Sequence, residues 1–107
     1  MAKEYRSGER IKREPTHPGE VLAKDVLPAL ELSVRDAARQ LGVTRQTLHR
    51  ILARKQPVTP EMAVRLGKFC GNGPTVWIRL QASYDLWHAE RKLRRVLARI
   101  PGHRSAA

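Results

Sequence analysis

Apolar residues along this 107-residue chain recur at spacings of three and four, the period of helices that pack by one face, and strand-like alternation is absent. Val21, Leu22, Val26 and Leu27 make the stripe of a first helix, which opens near His17-Pro18-Gly19-Glu20 and ends at Pro28 or just after it. Ser33 caps a second helix whose inner face is Ala37, Ala38 and Leu41, and Gly42 ends it. Thr44 caps a third helix with Leu48, Ile51 and Leu52 on its apolar side. Residues 53–59, ARKQPVT, form a basic loop. Thr59, Pro60 and Glu61 then open a fourth helix that buries Met62, Ala63, Leu66, Phe69 and Cys70 and stops at Gly71-Asn72-Gly73. Pro74 opens a fifth, which runs through Trp87. The pattern predicts an all-α fold of five helices.

Residues 33–52, SVRDAARQLGVTRQTLHRIL, combine two caps, a small residue at Ala38, a glycine turn and two matching apolar sides in one short window. Opposite the apolar side of the second of these helices stand Arg45, Gln46, His49 and Arg50. Such a pair is a helix-turn-helix whose second helix lies in the major groove of DNA. An ordinary helical hairpin with a solvated basic face would share the periodicity, but not every one of these local signals together.

Trp77, Leu80, Tyr84 and Trp87 recur on the fifth helix at intervals of three, four and three, a heptad-like seam. Two tryptophans and a tyrosine are hard to enclose in so small a unit and are enriched at interfaces, so the seam predicts a homodimer. The competing assignment places these side chains in the monomer's own core. Beyond Trp87 the stripe changes phase to Leu93, Val96, Leu97 and Ile100, among Arg91, Lys92, Arg94, Arg95 and Arg99. This is either a basic amphipathic helix or a frayed tail, cut short by Pro101-Gly102.

Charge narrows the partner. The chain carries 21 basic and 10 acidic residues, net +11, which favours a polyanion. Residues 1–16 contribute +2, residues 17–87 contribute +4 and residues 88–107 contribute +5. Residues 44–55 hold Arg45, Arg50, Arg54 and Lys55 and no acid, so charge gathers on the reading helix and the loop that leaves it. No apolar run has the length of a membrane span, and the N-terminus lacks a signal-peptide core. The lone Cys70 suits a reducing cytoplasm, and four scattered histidines predict no metal site and no cofactor. An enzyme is disfavoured by the lack of a nucleophile–base pair or phosphate-cradling loop, and an RNA binder by the lack of exposed stacking aromatics. Three regions are expected: a flexible polar arm at 1–16, a DNA-binding and dimerisation domain at 17–90, and a basic extension at 91–107.

HPGEVL at 17–22, DAARQLGVTRQTLHRIL, TPEMAVRLGKFCGNGP at 59–74 and WIRLQASYDLW at 77–87 together resemble the HigA antitoxins, within the phage-repressor-like helix-turn-helix regulators. The resemblance spans residues 17–87 and implies a five-helix core, dimerisation through the C-terminal helix and binding to the operator of the protein's own operon. It also implies a toxin partner, a small ribosome-dependent endoribonuclease of the RelE or HigB-like type. Carried over by position, the base-reading residues are Arg45, Gln46, Thr47 and Arg50. Their chemistry agrees, since arginine pairs with guanine O6 and N7 and glutamine with adenine N6 and N7. Ser33 and Thr44, at helix N-termini, suit phosphate oxygens, and Arg54 and Lys55 are expected on the DNA backbone. Relatives often end the reading helix with Asn-Gly. Here Ala53-Arg54 lacks that glycine, so the helix is expected to run one turn further and carry Arg54 towards the DNA. A basic toxin would meet a chain of net +11 as a like charge, and the alternative is a stand-alone repressor with no toxin.

Overall fold

The computed structural model describes residues 13–103, and among them every regular element is helical. The order is α1 (Pro18–Val21), a π-helical turn (Leu22–Val26), α2 (Leu27–Leu30), α3 (Val34–Leu41), α4 (Arg45–Leu52), α5 (Pro60–Cys70), α6 (Thr75–Lys92) and α7 (Arg94–Leu97). The first three segments are the expected first helix, extended past Pro28. Proline has no N–H to donate and its ring crowds the carbonyl four residues back. The widened turn just before it absorbs that crowding and ends with Leu27 N–H donating to the Leu22 carbonyl. Helix α2 stops at Glu31, which takes a left-handed φ of 55°.

His17 starts the fold. Its Nδ1 accepts the Gly19 N–H at 2.8 Å, so the imidazole caps α1 where serine or threonine would be usual. Pro18 and Glu20 occupy the opening turn as expected. The His17 ring is 2% exposed and meets the Tyr84 ring edge-on at 4.8 Å. Burial, and after it the nearby Arg54 charge, hold the imidazole pKa below its usual 6.5. The folded state therefore binds the proton less readily than the unfolded chain does. The stabilising contribution is whole above about pH 6.5 and is lost as pH falls below it. Urea midpoints measured between pH 8 and 5 should drop on the acid side, and a His17→Asn variant, still able to cap, should lose that part of the dependence.

The core comprises Leu22, Leu27, Ala37, Ala38, Leu41, Leu48, Ile51, Val58, Met62, Ala63, Leu66 and Trp77. Phe69 and Cys70, expected inside, pack half-buried at its edge. Val58, in the loop after α4, is 2% exposed, an inward residue that helical periodicity could not have placed. The arm expected over 1–16 lies outside the described residues as far as residue 12. The basic extension is divided: α6 continues through Lys92, Leu93 breaks it, and α7 adds one turn.

Candidate nucleic-acid interface

Helices α3 and α4 meet at the expected turn. Ser33 Oγ accepts the Asp36 N–H at 3.1 Å and Thr44 Oγ1 accepts the Thr47 N–H at 3.0 Å. Gly42, between them, has φ 75°. In that conformation its N–H and that of Val43 bond back to the Arg39 and Ala38 carbonyls, while a side chain there would be strained. Arg65 on α5 donates through Nη1 to the Leu41 carbonyl at 2.8 Å and to the Gly42 carbonyl at 3.4 Å, so α5 pins the turn. Nothing in the local pattern singled Arg65 out. Its contact crosses more than twenty residues of chain.

The basic face of α4 is open to solvent. Arg45, Gln46, His49 and Arg50 are exposed on α4, opposite the buried Leu48 and Ile51. Thr47 is half-buried, and the Thr44 hydroxyl donates to its Oγ1 at 2.8 Å. The hydroxyls of Ser33 and Thr44 both sit at helix N-termini, exposed, each already accepting one N–H.

The end of the reading helix differs from expectation. Helix α4 does not run a further turn, because Arg54 itself takes the left-handed conformation, φ 62°. Lys55 N–H then reaches the Arg50 carbonyl at 2.8 Å and Arg54 N–H the Ile51 carbonyl at 3.0 Å, the closing pair of a Schellman turn. Two carbonyl bonds are gained at the cost of a conformation that arginine adopts reluctantly. The Arg54 guanidinium pairs with Glu14 at 3.5 Å, while Lys55 is exposed beside it.

The loop is fastened from α6. Gln81, 6% exposed, accepts the Val58 N–H through Oε1 at 2.8 Å and donates through Nε2 to Asp85 at 2.9 Å. Its place four residues after Trp77 and three before Tyr84, on the inward stripe, was the available signal that this polar side chain is buried.

Of the seam Trp77, Leu80, Tyr84 and Trp87, the first is fully buried and the other three are half-buried. Trp77 is 1% exposed and donates its Nε1–H to Asn72 Oδ1 at 3.1 Å, so it belongs to the monomer's core and not to a subunit interface. Leu80 packs half-buried against that core, and Tyr84 lies between His17 and His88. Trp87 is half-buried with the Arg91 guanidinium 3.6 Å above its ring. The exposed large apolar residues from α6 onward are Val76, Leu86, Leu93, Val96, Leu97 and Ile100, between 40% and 58% exposed.

A helix-turn-helix domain family matches residues 6–76. A transcriptional regulator of the helix-turn-helix type from Haemophilus influenzae, itself uncharacterized, is 39% identical over 84 residues, 78% of each chain. Antitoxin HigA-1 of Vibrio cholerae is 30% identical over 78 residues, 73% of each chain. The solved Pseudomonas aeruginosa antitoxin HigA with the higBA promoter superposes with a TM-score of 0.77 at 30% identity, covering 81% of this chain and 96% of that one. With its fold and motifs, the chain belongs to the HigA-type antitoxins of the helix-turn-helix family, DNA-binding regulators and not enzymes.

Proposed function

We propose that this chain binds the operator of its own operon as a homodimer, represses it, and neutralises a RelE- or HigB-like endoribonuclease toxin. The observation that carries the DNA-binding part is the exposed Arg45, Gln46, His49 and Arg50 face on a helix held by two hydroxyl caps and by Arg65. In this reading Arg45, Gln46, Thr47 and Arg50 face base edges, while Ser33, Thr44, Arg54 and Lys55 lie on phosphates. The related antitoxin solved with a promoter presents the same fold. The homodimer rests on exposed apolar side chains at the C-terminal end, Leu86 on α6, Leu93 at the break and Val96 and Leu97 on α7. A basic toxin would meet less like charge at residues 17–36, which carry Glu20, Asp25, Glu31 and Asp36 against Lys24 and Arg35.

Operator binding is tested by titrating an inverted repeat and its scrambled version. Arg45→Ala or Gln46→Ala should cost about 1–3 kcal/mol at one position of each half-site and relax preference there. Lys55→Ala should weaken all sequences alike and make the salt slope shallower by about one. Equal affinity for both duplexes would end the specific-regulator reading. The toxin is tested by co-expression with a HigB-like endoribonuclease encoded beside this gene: rescue of growth supports neutralisation, and the lack of such a gene, or of rescue, leaves the stand-alone repressor.

A further inference from the structure

The carboxylate of Glu14 spans two elements that the sequence keeps far apart. Its Oε1 lies 3.5 Å from Arg54 Nη1, just past the reading helix, and its Oε2 hydrogen-bonds His88 Nε2 on α6. Neither partner is nearer than forty residues along the chain. We propose that Glu14 is an intramolecular competitor of DNA phosphate for the Arg54 guanidinium, and so sets how strongly the reading helix is anchored.

The chemistry is that of one anion standing in for another. A guanidinium binds carboxylate and phosphate through the same planar set of donors. A carboxylate seated on it both occupies those donors and repels an approaching phosphodiester. The Arg54 backbone is held left-handed by its own and the Lys55 N–H bonds to α4, which fixes the point from which its side chain reaches. Exchange is nevertheless inexpensive. The Arg54 and Glu14 side chains are 46% and 35% exposed, and after losing Arg54 the carboxylate keeps His88 and gains water. An ion pair this long and this solvated is weak, so the competition should be worth about two- to fivefold in DNA affinity. A partner that draws Glu14 off Arg54 strengthens DNA binding by up to that factor, and by linkage DNA strengthens that partner's binding equally.

The inference rests on Arg54 being a phosphate contact, as proposed above, and the test separates the two ideas. The full chain, Glu14→Gln, Arg54→Ala and the double variant are titrated on operator and scrambled duplexes over a range of salt. Arg54→Ala should weaken both complexes and make the salt slope shallower by about one. Glu14→Gln should tighten both by about two- to fivefold, and that gain should vanish in the Arg54→Ala background. No change from Glu14→Gln, or a gain that persists without Arg54, overturns the competition while Arg54 keeps its phosphate. If Arg54→Ala costs nothing, the phosphate contact falls and the competition with it.

Discussion

Gly19→Ala is expected to unfold the domain or to lower its stability by about 3 kcal/mol or more, the upper range for inserting a methyl group into packed structure. A β-carbon at this position would stand 1.8 Å from the Ile51 carbonyl oxygen and 2.7 Å from its carbon. Both are backbone atoms at the end of the reading helix, on a residue 1% exposed, so no side chain can rotate to make room. Relief would require α1 to lift away from α4. That movement would also pull Gly19 N–H from His17 Nδ1 and the imidazole from its site against Tyr84. A domain stable by 5–15 kcal/mol overall would be brought near its threshold. Urea unfolding followed by circular dichroism measures the loss, and operator affinity should fall with it because Ile51 anchors the reading helix. An unchanged midpoint would show that α1 is not seated on α4 in solution.

The reading helix was legible because its signals are local. Ser33, Gly42 and Thr44 act on backbone groups within three or four residues of themselves, and sequence carries such relations directly. Arg54 departs from expectation for a related reason: the lack of glycine predicts a longer helix. The Schellman bonds, together with the packing of the following loop through Val58 and Gln81, outweigh the arginine's reluctance to take positive φ. Contacts across long stretches of chain were not legible at all. Arg65 on the turn, Gln81 on the loop, Gly19 on Ile51 and Glu14 between Arg54 and His88 depend on which faces the finished fold brings together. Periodicity shows that a face is apolar. It does not show what the face meets.

Helix α6 is where that gap matters most, and two substitutions on the C-terminal helices should part its roles. Trp77→Ala should cost about 3–5 kcal/mol, the usual range for emptying a large buried aromatic site. The loss comprises the transfer of a side chain 1% exposed, the cavity left among core residues, and a hydrogen bond to Asn72 Oδ1 that goes unmade. It should appear as unfolding of the monomer, with helical content and operator binding lost together. Leu97→Glu acts on a side chain 48% exposed, outside the core, and should leave the urea midpoint nearly unchanged in subunits kept apart by dilution. At micromolar concentration the same variant should sediment as a monomer where the wild type sediments as a dimer, because a carboxylate in that apolar patch would face an apolar partner. Operator affinity should then fall steeply, since each subunit would hold one half-site alone. A Leu97→Glu chain that still sediments as a dimer would move the interface off the α6–α7 strip. A folded, monomeric Trp77→Ala chain would return that tryptophan to the seam where its spacing first placed it.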